Sequence, residues 1–208
     1  KNAVVVGERW TGWTPGVEGK PCREGAWRYF TNPKSKFGDA NGYDELVWND
    51  AGNCYLPADR DAVPWLNQYV RVHREGGHPG RGRDQVWDKV DRYSITGFVV
   101  PEDGVYRIEA GWLERLWPKR WDRDGVLDIA VHVNDGPVLM RDFCDRDSFV
   151  AFRHALGELS AGDTIYVGVG PNGADFNDKF RWGFYVVRET GPPGGDAVAG
   201  ERDLAATD

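Results

Sequence analysis

Residues 126–133, V126-L-D-I-A-V-H-V133, set Leu127, Ile129, Val131 and Val133 two apart. That period is the one a β-strand uses to bury one face, because successive side chains point to opposite sides of the sheet. Asp128 and His132 fall between the apolar positions, on the face expected to meet solvent. The same alternation recurs downstream. Tyr106, Ile108 and Ala110 share a face against Arg107 and Glu109, Ile165, Val167 and Val169 form a second set, and Trp182, Phe184 and Val186 a third.

Turn chemistry separates these runs. Pro101-Glu-Asp-Gly104, Asn134-Asp-Gly136, Ser160-Ala-Gly-Asp163 and Pro171-Asn-Gly-Ala-Asp175 supply Gly, Asn, Asp and Pro where the chain must reverse. F149-V-A-F-R-H-A-L-G-E-L159 has a helical reading, but the turn residues that follow it favour a strand. Short strands at this spacing, with no 3.6-residue apolar stripe between them, predict an all-β antiparallel sandwich of jelly-roll type.

The first 92 residues carry apolar pieces at 3–6, 27–30, 45–48 and 69–72 between long Gly, Pro and Asp-rich loops. Loops of that length either carry function or wrap a core. E75-G-G-H-P-G-R-G-R83 reads as an exposed, mobile loop. Residues 1–188 are expected to form one sandwich domain. Residues 189–208, rich in Gly, Pro and Ala with no apolar face, read as a linker or disordered tail leading to another domain.

The chain has 208 residues, enough for a sizeable core without disulfide or metal support, and a net charge of −7. That charge lacks the basic footprint of a general nucleic-acid binder, so no nucleic acid is expected as a partner. No run of about 18 apolar residues occurs, so no membrane span is expected. The opening KNAVVVGERW lacks the apolar core of a signal peptide, which implies a cytosolic protein or one whose leader has been removed. Of Cys22, Cys54 and Cys144, the first two would pair in an oxidising compartment, and three reduced thiols is the other reading.

Three segments together carry a resemblance: F98-V-V-P-E-D-G-V-Y-R-I108, V131-H-V-N-D-G136 and the stretch from L159-S-A-G-D-T-I-Y-V-G-V-G170 to Asp178. They resemble the jelly-roll modules appended to secreted bacterial polysaccharide-degrading enzymes and surface proteins, especially of planctomycete-type bacteria. W10-T-G-W13 matches the start of that pattern and Asp178 its closing acid. The resemblance covers about 93–188 and implies a secreted or cell-surface location. It also implies polysaccharide or oligosaccharide as ligand, an attached catalytic domain, and a non-catalytic carbohydrate-binding module. The same run is similar to the trimerising globular heads of the complement and tumour-necrosis-factor superfamily, which keeps a self-associating or surface-anchoring module open.

Ten tryptophans is several times ordinary usage. Trp112, Trp117 and Trp121 are expected on the long connection between the strands at 105 and 126, where loops over a rigid sandwich carry recognition residues. An indole offers its π face to sugar C–H groups, and Glu114, Arg115 and Asp122 are placed to hydrogen-bond hydroxyls. The competing reading is a lid that closes the core, with arginine stems against the rings. Asp175 and Asp178, in an oxygen-rich turn, are candidate ligands for a structural calcium.

Catalytic signals are sparse. The four histidines have no metal-ligand spacing, and no nucleophile elbow or phosphate-cradling loop is present. Y69-V-R-V-H-R74 alone has the residue types of a polysaccharide lyase, with Arg71 and His73 on one side of a strand.

Overall fold

The computed structural model describes residues 3–8, 27–58, 69–116, 125–145, 148–174 and 178–189. Fourteen strands lie among them: β1 (Ala3–Glu8), β2 (Trp27–Thr31), β3 (Asp44–Glu45), β4 (Val47–Asn49), β5 (Cys54–Leu56), β6 (Arg71–His73), β7 (Gly76–His78), β8 (Ser94–Val99), β9 (Gly104–Arg115), β10 (Leu127–Val133), β11 (Met140–Cys144), β12 (Phe149–Leu159), β13 (Thr164–Gly170) and β14 (Phe180–Glu189). The region from 149 to 159 is a strand, as its following turn indicates.

Two antiparallel sheets form a sandwich. One runs β12-β9-β14-β7-β6-β5-β4, with β1 also paired to β14, and the other runs β11-β10-β13-β8-β2-β3. From β8 onward the chain passes repeatedly from one sheet to the other, which is jelly-roll wiring. The predicted apolar sets supply the core. Tyr106, Ile108, Leu127, Ile129, Val131, Ile165, Val167, Val169, Trp182, Phe184 and Val186 belong to one buried cluster. Each such side chain contributes about 1.5–3 kcal/mol by leaving water.

The resemblance motifs act here as fold devices. Asn134 takes φ +51 in its turn. Its amide donates to Asp163 Oδ1 at 2.8 Å, and its Oδ1 accepts from the Thr164 N–H at 2.8 Å. The turn after β10 is thereby pinned to the turn before β13.

Three sequence expectations are corrected. Asp128 and His132 do alternate with the core set, but both are buried, because residues from 37 to 43 and Tyr93 cover the outer face of the smaller sheet. Tyr93 donates its hydroxyl to Asp128 at 2.6 Å, and Tyr43 Oη lies 2.8 Å from His132 Nε2. Burial raises the Asp128 carboxyl and lowers the His132 imidazole to about 4.

The segment from Glu75 is the second correction. Rather than an exposed loop, Gly76–His78 is buried strand β7, wedged between β14 and β6. A Cβ on Gly76 would stand 1.8 Å from the Phe180 carbonyl oxygen, so the paired glycines allow this close approach.

The third correction concerns β9. Strict alternation would bury Ala110 and Trp112 alongside Tyr106 and Ile108. Ala110 instead takes φ +47 and is exposed, and the pairing of β9 with both neighbours shifts register around it. This β-bulge inverts the phase, so Leu113 enters the core and Trp112 turns to the outer face. The strand runs on to Arg115, so Trp112 stands on a sheet rather than on the expected connection. Trp117, Trp121, Asp122 and Asp175 lie outside the described residues.

Candidate functional site

The outer face of the larger sheet carries the exposed chemistry. Trp112 is paired across β9 with Ala151 on β12 and with Gly183 on β14. Both neighbours are small, and a Cβ on Gly183 would come within 2.8 Å of the indole Nε1. The half-buried indole therefore lies close over the β14 backbone. Its ring is parallel to that of Phe149 within 10°, with centroids 6.2 Å apart. Phe149 is 62% exposed, so the pair presents apolar surface to solvent.

Glu114, two residues beyond Trp112, lies between Phe149 and Arg181 in register. Arg181 donates to Glu114 Oε2 through Nη2 at 2.6 Å and through Nε at 3.1 Å, and both side chains are about two-fifths exposed. An exposed pair of this kind adds only about 0–1 kcal/mol to stability, so its donors and acceptors remain available to a ligand. The register continues across the sheet, because Arg181 pairs with Gly76 and Gly76 with His73. Phe149, Glu114, Arg181, Gly76 and His73 thus form one row across five strands, roughly 19 Å at about 4.8 Å per strand spacing.

The row ends at a cleft of about 630 Å³ whose walls include Tyr69, Arg71, His73, Arg74, Glu75 and Lys179. Val72 points into the core, which sets Arg71 and His73 on the opposite side of β6 as the alternation predicts.

Arg115 and Asp178 behave differently. With side chains 5% and 0% exposed, they form a buried ion pair, Arg115 Nη2 donating to Asp178 Oδ1 at 2.9 Å. Arg115 also donates to the Gly125 carbonyl. The geometry thus ties the end of β9 to the start of β14 and turns the Arg115 guanidinium away from Trp112's face. Among the described residues, no group of three or more His, Cys, Asp or Glu side chains could hold a metal ion. Trp87, 71% exposed between β7 and β8, makes no ring contact with the Trp112–Phe149 pair.

Phe149 was not foreseeable as Trp112's partner. The turn after residue 159 marked its segment as a strand, but which residue stands beside it depends on register between β12 and β9, 35 residues apart at Phe149 and Glu114. The one local signal was A110-G111: a glycine inside a strand marks a bulge, and a Cβ on Gly111 would meet the Phe152 ring at 2.5 Å.

No protein-family model matches this chain, and no curated protein matches it. A solved structure similar to it is an isomalto-dextranase of Arthrobacter globiformis T6 complexed with panose, at 12% identity and a TM-score of 0.28. The match spans 78% of this chain and 23% of the dextranase, so this chain is far shorter than that enzyme. At that TM-score the likeness is to a carbohydrate-active enzyme but carries no argument about site or activity. The fold shown by the chain itself is an antiparallel β-sandwich.

Proposed function

We propose that this chain is a non-catalytic carbohydrate-binding module that holds an attached enzyme on polysaccharide at the cell surface or outside the cell. The observation that carries the reading is the Trp112–Phe149 pair, two parallel rings on the outer face of a rigid sheet. The two stacked rings expose apolar π surface to which the C–H face of a sugar can pack, and Glu114 and Arg181 beside them can exchange their mutual hydrogen bonds for hydroxyls. Tethering raises the local concentration of the attached enzyme, so modest affinity suffices.

Affinity electrophoresis through gels containing neutral or acidic polysaccharides tests this. Retardation by at least one polymer, abolished by Trp112→Ala, is the expected result. Equal migration of both proteins through every polymer would reject it. Light scattering on the same samples separates glycan binding from self-association.

A second reading, cleavage of an acidic polysaccharide, is favoured by the cleft that gathers Tyr69, Arg71 and His73. It requires a base beside cations that neutralise a carboxylate. Release of unsaturated products, lost in His73→Ala, is its test.

A further inference from the structure

The chain as a whole is acidic, yet three of the four charged side chains that line the cleft among the described residues are cations: Arg71, Arg74 and Lys179 against Glu75. We infer that this cleft is a subsite for an anionic sugar residue, carboxylated or sulfated, of a glycan that also crosses the Trp112–Phe149 pair. The inference rests on the glycan-binding reading and specifies the class of glycan.

Register brings the cations together. Arg71 pairs with His78 on β7, the preceding β7 residue, Gly77, pairs with Phe180, and Lys179 immediately precedes Phe180. The Leu116 N–H donates to the Lys179 carbonyl at 2.8 Å, closing the same wall from β9. Buried His78 senses the arrangement: burial chiefly lowers its imidazole, and the charges of Arg71 and Lys179 lower it further, to about 4. Among the described residues no carboxylate forms an ion pair with Arg71 or Lys179. Charges of one sign gathered in a concave site focus field toward an anion, and a guanidinium matches carboxylate or sulfate oxygens in a planar fork.

Placement links the cleft to the aromatic pair. His73 at the cleft and Phe149 at the pair end one cross-strand row, with the Glu114–Arg181 pair between them. A glycan laid across the strands would meet rings first and cations last. The net charge of −7 repels polyanions at long range, so selectivity must come from contact and will be screened by salt.

The test is titration calorimetry of the full 208-residue chain with three matched oligosaccharides: neutral, galacturonate-containing and sulfated. The acidic ligand is expected to bind at least about tenfold more tightly than the neutral one, about 1.4 kcal/mol by the standard conversion. That margin should vanish in Arg71→Ala/Lys179→Ala and shrink on adding salt, whereas Trp112→Ala should weaken all ligands alike. Preference for galacturonate or for the sulfated ligand supports the inference either way and names the anion. Equal binding of neutral and acidic ligands overturns it while leaving the glycan reading intact. Binding of no saccharide overturns both. Should the double variant lose its melting transition, Lys179→Ala alone, at an exposed position, gives the same comparison.

Discussion

Trp112 lies against the backbone of Gly183, close enough that a Cβ there would stand 2.8 Å from the indole Nε1 and 3.1 Å from Cε2. The glycine makes room for the ring to approach the sheet and stay parallel to Phe149. Gly183→Val should therefore tilt the indole and weaken polysaccharide binding by about tenfold, a loss typical of a displaced binding anchor. The comparison of retardation with melting temperature checks this. Weakened binding in a protein that still melts cooperatively is the expected outcome, and unaltered binding would show that the ring's orientation is irrelevant.

Phe149 is 62% exposed, so its removal costs the fold little. Phe149→Ala should change stability by about 0.5 kcal/mol or less, as surface substitutions do, while lowering glycan affinity several-fold. Denaturant unfolding and calorimetry on one preparation measure both quantities. Trp87→Ala, at the other highly exposed ring, should leave affinity unchanged.

The Arg115–Asp178 pair predicts the opposite profile. Asp178→Ala would leave a guanidinium with a side chain only 5% exposed and without its carboxylate, a loss of about 3–5 kcal/mol for a buried pair. The protein should unfold at clearly lower denaturant. Stability within about 1 kcal/mol of the native chain would mean that water replaces the pair readily.

Two buried histidines set an acid limit. His78 and His132 both sit at about 4 in the folded chain, against about 6.5 when unfolded. Their folded values are depressed, so the stability they contribute is present above about pH 6.5 and is lost as pH falls toward 4, where the unfolded chain takes up the protons first. Between pH 7 and 5 each should cost about 2 kcal/mol. Urea unfolding across that range, with His132→Phe removing one of the two contributions, measures it.

Where burial on one face decides the structure, the sequence was legible. The period-two sets at 127–133, 165–169 and 182–186 needed only the alternation rule, and they place β10, β13 and β14 in the core correctly. The rule misplaced Ala110, which takes φ +47 and is exposed, and the strand that carries on through this bulge holds Trp112, which was expected on a connection. It misread 75–83 because Gly-Gly signals a loop locally, whereas here β14 selects those glycines by closing to a distance no side chain tolerates. The cleft depends on Arg71 and Lys179 meeting from positions more than a hundred residues apart, which local pattern cannot supply.

The most direct measurement is calorimetric titration of the native chain and of Trp112→Ala/Phe149→Ala with an oligosaccharide drawn from whichever polymer retards the native chain. Saturable heat for the native chain, absent from the double variant at an unchanged melting temperature, is predicted. Heat of equal size and affinity in both proteins would contradict the account, because the glycan would then be bound without the two rings.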